Sequence, residues 1–477
     1  MTLTPAHVSP VTLVAEPTWP ALTCDEQPTA VGLRRARPRD MAVGHLVMTM
    51  TRRTVLQTIA AGAGVSALGG LVRAQDTPDA LVARMRADLE RHAGFGSKFS
   101  AGPGDLATAD WIADRLRRGG YTVARSTFEA PFFVKRTTRV TIGGTSVEVM
   151  PQAPVATTGR DGVSGRLALV EGEGGDLRGR LAVIVLASGR HAALFPDRGI
   201  GRTVTAAANA GAHAIIIVTT GPTGEAIALN APEHQPFVKV PVAILAPRQA
   251  APVVDAARTG ATATLIVDGE ATHRPSPNLV ARVVRGDRWI VISTPRSGWF
   301  DCVGERGTGT TVFLELTDWA VRRFPNHSLF VMNTGGHEYF FAGSHKVLHE
   351  APPPDRTVVW AHVGATLAAR DAEERDGTLR MLDTADPQRS LMTSEAARAA
   401  AARAFAGLSG LTEPVPVRPS AGELSTFTDR GYAAAFAVLG LHRWLHTVQD
   451  TIERVDARLL VPVLRAHQAT IETLAAG

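Results

Sequence analysis

SLFVMNTGGHEYFFAGSH, residues 328–345, is the stretch on which the reading of the fold turns. It opens with Leu329-Phe330-Val331-Met332, an apolar run bounded by turn residues, which reads as a short buried strand. Gly335 and Gly336 then allow a tight backbone turn. His337 and Glu338 follow at once. Both are therefore expected at the carboxyl end of a central strand, where open α/β sheets place their ligands. By itself the pair also fits a hydrogen-bonded loop histidine beside a surface carboxylate.

Working outward, the sequence alternates strands and helices. RWIVIS (288–293) reads as a strand, and TGTTVFLELTDWAVRR (308–323) as a helix with Val312, Leu316, Trp319 and Ala320 on one face. After the strand before Glu338 come a strand over 357–362, an alanine-rich helix near 394–406, a strand over 435–439 and a closing helix from about 451. Upstream, apolar spacing predicts helices over 78–93 and 106–118, then a strand over 121–128. This order predicts an α/β fold, a mainly parallel sheet with helices on both faces. Between about 135 and 272 the composition shifts to Val, Ala, Gly and Ile in short strands, and no residue there suggests chemistry. His191, His213 and His234 are not spaced as a ligand cluster.

The 477 residues, 45% hydrophobic, can bury more than one domain's worth of core. No apolar run approaches the ~20 residues that a membrane span needs. Residues 1–47 show no periodicity and read as a leader or an extended gene start. Arg52-Arg53 then precede a small and apolar run from Val55 to Leu71, closed by Val72-Arg73-Ala74. Residues 48–74 thus read as a twin-arginine-type signal peptide, which places the mature chain in the periplasm or outside the cell with no stable membrane anchor. Removing residues 1–74 takes away seven Lys or Arg and four Asp or Glu, leaving 43 basic against 41 acidic residues. The net charge of +5 is therefore no argument for a nucleic-acid partner. Cys24 leaves with the leader, so Cys302 stands alone and no internal disulfide is expected.

The stretch around Glu338 resembles the zinc aminopeptidase family, which includes glutaminyl cyclases and glutamate carboxypeptidases. In that family a Gly-Ser pair follows the second of two acidic residues by five and six positions, as Gly343-Ser344 follow Glu338 here. The helix–loop–helix before the first strand is similar as well, and residues 135–272 resemble a protease-associated domain. The resemblance implies a peptidase-like domain in two parts, 78–134 and 273–477, split by that small β-rich module.

It also implies a ligand set, and this sequence keeps only part of it. Glu338 matches a metal-binding glutamate, and His337 stands where the family has its general-base glutamate. Glu305, in Glu305-Arg306-Gly307-Thr308-Gly309, stands in for the aspartate that bridges two metals. His446, in His446-Thr447-Val448-Gln449-Asp450-Thr451, matches the last histidine ligand. The other metal's own ligands are replaced by Thr294-Pro295-Arg296 and by Trp360-Ala361-His362-Val363-Gly364.

One zinc ion on Glu305, Glu338 and His446 is therefore the expectation, with water in the fourth place and His337 as base. Arg296, Arg306 and His362 are expected to face the substrate, a peptide or small amide. Asp450 with Glu453 reads as a cap for the final helix. Two other readings stay open. One is a metal-free hydrolase using Ser297 or Cys302 with His337 as base. The other is a non-catalytic peptide-binding protein.

Overall fold

The computed structural model describes residues 77–477 except 171–174, 188, 191–192, 196–198, 376–377 and 419–421. The leader and signal peptide read from the sequence lie outside the described residues. The first helix, Pro78–Gly94, buries Leu81, Met85, Leu89 and His92, one side chain per turn. The second, Pro103–Arg118, begins with proline, whose missing N–H costs nothing there, and stops at Gly119. Helix Thr308–Arg323 is buried over most of its length, and the last helix, Ala457–Ala476, packs Leu460, Val463, Leu464 and Ile471 into the same core.

Four parallel strands form the centre of a 14-stranded sheet. They run side by side in the order Ala435–Gly440, Thr357–His362, Trp289–Pro295, Ser328–Thr334. Ser328–Thr334 is buried at every position, as its apolar run predicts. Because the strands are parallel, Pro295, Thr334, His362 and Gly440 end along one edge of the sheet. All the candidate site residues lie on the turns that leave that edge or beside it.

Two strands are far longer than the sequence reading proposed. Thr122–Ile142 and Thr262–Val283 pair antiparallel from Thr122↔Arg282 to Ile142↔Ala263, with one irregularity near Lys135. Their inner ends reach a second group of parallel strands, Val163–Leu169, Arg180–Val185, Ala214–Val218 and Val242–Leu245. Helices Gly199–Asn209 and Ala251–Thr259 accompany these strands, and the group has its own cores around Val183, Ile216 and Leu265 and around Ile184, Val204 and Ile217. The boundaries expected at 135 and 272 therefore fall inside continuous strands. Between them the chain forms helices as well as strands.

The closing helix begins later than expected. Asp456, not Asp450, is its cap and accepts from the Arg458 N–H at 2.9 Å. Asp450 accepts instead from the N–H groups of Gly304 and Glu305 at 2.7 and 3.0 Å. It is structural, as a cap is, but it secures the turn that carries Glu305.

Candidate active site

The strand Ser328–Thr334 leads into Gly335 and Gly336, the latter at φ 70°. That left-handed step, easy for glycine, drops His337 and Glu338 into a short 3-10 turn, His337–Tyr339, beyond the sheet edge. Phe340, Phe341, Cys302 and His446 also have positive φ, between 41° and 66°. Strained non-glycine backbone gathered at one place is a mark of functional regions.

Glu305 sits on the turn Val303–Gly307 before helix Thr308–Arg323 and is 2% exposed. Its Oε1 lies 2.8 Å from Arg306 Nη2 and 3.3 Å from His446 Nε2. Burial works against its charge. The Arg306 guanidinium and His446 prevail, and hold the carboxyl well below the usual carboxylate range. His446 is oriented through its other ring nitrogen, Nδ1, 2.9 Å from the carbonyl oxygen of Ala228 in the inserted segment. Glu305 and His446, two of the three residues named for the metal, are thus in contact.

Glu338 does not join them. Its Oε1 accepts from the Ser100 N–H at 3.0 Å and its Oε2 from Ser297 Oγ at 2.7 Å. Burial raises its pKa, and the serine hydrogen bonds only moderate the rise. Among the described residues no three His, Cys, Asp or Glu side chains are grouped so as to hold a metal ion. The donors present therefore do not fit the zinc ion that the resemblance implies. Glu338 is bonded elsewhere, and Glu305 already carries a fixed cation.

The serine and cysteine readings are corrected as well. Ser297 is fully buried. Besides donating to Glu338, its Oγ accepts from the Gly336 N–H at 2.7 Å and from Ser100 Oγ at 3.0 Å. Glu338, not His337, is its partner, so the hydroxyl braces the turn. Cys302 is fully buried too, and burial pushes its thiol well above the normal range, so no thiolate is available to attack.

The two arginines divide. Arg296, expected to face substrate, is fully buried instead: its Nε lies 2.7 Å from Asp105 Oδ1, and Nη1 donates to Asn333 Oδ1 at 2.9 Å. Arg306 stays in the cluster. Its Nε donates to the Ser297 carbonyl at 2.8 Å and its Nη2 to Glu305, while Nη1 has no hydrogen-bond partner among the described residues.

His337 is held by a residue that the sequence reading missed. Glu423, 3% exposed, places Oε2 3.1 Å from His337 Nδ1 and 3.4 Å from His362 Nε2. Its Oε1 accepts from Ser344 Oγ and from Thr334 Oγ1. Burial opposes the charge of Glu423 but the two imidazoles hold its carboxyl low. His362, expected to face substrate, is a buried member of this network, with Nδ1 2.8 Å from Ser293 Oγ. Burial, helped by Arg306, pushes His337 down to about 4, so its imidazole is neutral at pH 7. Glu423 sits between Gly422 and Leu424 in no recognisable motif. Only its place just before the short helix Leu424–Thr428 could have drawn notice.

No protein-family model matches the chain, and no curated sequence does. Solved structures do match. An aminopeptidase from Aneurinibacillus sp. strain AM-1 is similar at 17% identity and TM-score 0.60, over 82% of this chain and 93% of that one. A zinc aminopeptidase from Bacillus subtilis aligns at 16% identity and TM-score 0.64, over 82% and 95%. A peptidase M28 precursor from Shewanella amazonensis SB2B aligns at 15% and TM-score 0.62, over 84% and 97%. The family resemblance read from the residues around Glu338 is thus matched in three dimensions, and the fold of this chain is that of the zinc aminopeptidases.

Proposed function

We propose that this chain is a hydrolase of peptide or amide bonds of the aminopeptidase kind, with His337 as its general base. The observation that carries the reading is the His337–Glu423 pair, 3.1 Å apart at the carboxyl edge of the central strands. A carboxylate on Nδ1 fixes the tautomer and leaves Nε2 to take a proton from water, the logic by which a carboxylate orients a catalytic imidazole. The hydroxide so formed adds to the amide carbonyl, and the proton passes on to the departing amine. The zinc aminopeptidases that share the fold support amide hydrolysis as the kind of reaction. A peptide or small amide substrate, a periplasmic or secreted location, and a protease-associated role for the insert belong to the same proposal. No helix among the described residues is long and apolar enough to cross a membrane.

The test is hydrolysis of a panel of aminoacyl p-nitroanilides and short peptides by wild type and by Glu423→Gln. Loss of a correctly placed base costs about 10²-fold or more, so the variant is expected to fall that far while keeping its circular dichroism spectrum. A wild-type protein that turns over no member of the panel would overturn the reading. Binding without turnover would then favour the peptide-binding alternative, which the engagement of Glu338 by two serine residues already supports.

A further inference from the structure

Arg306 occupies an unusual position. It is a permanent cation, 1% exposed, on the turn that supplies Glu305. Nε and Nη2 are fixed by the Ser297 carbonyl and by Glu305 Oε1. Nη1 is left over, and so is Oε2 of Glu305. Neither atom has a hydrogen-bond partner among the described residues. A single buried ion pair thus offers one unused donor and one unused acceptor. Leaving such groups unmatched is unfavourable, so a ligand that satisfies both is favoured.

We propose that the Arg306–Glu305 ion pair takes the place of a metal ion and recognises an uncharged amide directly, its carbonyl on Arg306 Nη1 and its N–H on Glu305 Oε2. The inference deepens the hydrolase reading and rests on it for the identity of the site. Three observations converge on it. A guanidinium within 2.8 Å of a carboxylate neutralises that carboxylate in a dry setting, which is the electrostatic service a cation would perform there. Glu338, which a metal would need, is already bound by Ser100 and Ser297. An amide is neutral and presents an acceptor and a donor side by side, which matches this pair. A free carboxylate would meet Glu305, Glu338 and Glu423, and an ammonium would meet Arg306. His337, with its side chain 13% exposed, is less buried than Arg306 and Glu305.

The experiment uses the purified full chain and has two arms. In the first, the protein is dialysed against zinc and then against buffer, and bound zinc is measured. Wild type is expected to retain none. Arg306→Met frees Glu305 and His446 from the competing cation, and is expected to bind zinc at least about tenfold more tightly. In the second arm, wild type is titrated calorimetrically with N-acetylleucinamide in the presence of EDTA. Binding is expected to persist in EDTA and to weaken about tenfold or more in both Arg306→Met and Glu305→Gln, the loss of one buried hydrogen bond.

Should Arg306→Met fail to fold, Arg306→Lys keeps the charge. It lacks the forked donor set, and is expected to lose amide binding without gaining zinc. Wild-type protein that keeps a stoichiometric zinc ion through dialysis overturns the proposal, and so does amide binding that disappears in EDTA. Amide binding that passes both tests without any hydrolysis would sustain this inference and reject the hydrolase reading. Hydrolysis with undiminished amide binding in both variants would do the reverse.

Discussion

Arg296 illustrates how a residue's place in the chain can mislead about its work. It stands where the family resemblance expects a carboxylate, and the sequence reading turned it toward substrate. In the fold its guanidinium meets Asp105, which lies 191 residues earlier, and both side chains are fully buried. Breaking such a pair by removing one partner leaves an uncompensated charge and costs about 3–5 kcal/mol. Arg296→Met is therefore expected to lower the midpoint of urea unfolding strongly, and Arg296→Met with Asp105→Leu to recover much of the loss. The same limit on local reading hid Glu423 and Ser100. Their partners, His337 and Glu338, are 86 and 238 residues away. Identity and spacing named Glu305 and His446, which are in contact, but the turn that carries Glu305 is secured by Asp450, 145 residues away. They could not tell that Glu338 would spend both oxygens on serines brought in from elsewhere.

At the scale of elements, most of the central sheet was legible. The strands over 329–332 and 435–439 lie within observed strands, that over 288–293 begins one residue before the observed Trp289–Pro295, and the strand expected over 357–362 is found as Thr357–His362. Their continuous apolar runs leave little choice to a buried parallel strand. The Gly-Ser pair after Glu338 now has a physical reason. Gly343 packs against the Gly335 carbonyl so closely that a Cβ would fall well inside van der Waals distance of it and of Asn278. Ser344 reaches Glu423 from the same turn. Gly343→Ala is thus expected to push the short helix Ala342–Val347 off the site, lowering stability by about 1–3 kcal/mol and activity along with it. A melting temperature unchanged to within a degree would refute this packing argument. The long strands were not legible, because the middle of Thr262–Val283 is polar and exposed, as at Glu270 and His273, and both strands contain proline.

For the whole molecule, the balance between folded and unfolded states depends on acid through His467. It is fully buried in the last helix, its Nδ1 2.8 Å from the Val463 carbonyl oxygen and its ring against Phe405 and Phe436. Burial pushes it down to about 4 from an ordinary value of 6.5. The unfolded chain therefore takes up a proton before the folded one does. The stabilisation from keeping this imidazole neutral is complete above about pH 6.5. It is lost as pH falls toward 4, by up to about 3 kcal/mol. Urea midpoints measured between pH 7 and pH 4 are expected to fall, and to fall less in His467→Phe if that variant folds. An equal slope in both proteins would place the acid sensitivity elsewhere.

The pairing of Thr122–Ile142 with Thr262–Val283 also bears on time. Even its nearest contact, Ile142 with Ala263, closes a loop that contains most of the insert. Contacts so remote in sequence are slow to form, because the entropy of closure comes before any reward. The insert can shorten that search by condensing first around Ile216 and Leu265, which brings the two strand ends together. On that order of assembly the edge that carries the candidate site is completed last. Ile216→Val is expected to slow refolding, whereas Ile471→Val in the final helix is expected chiefly to hasten unfolding, a contrast that stopped-flow traces of the two variants would read directly.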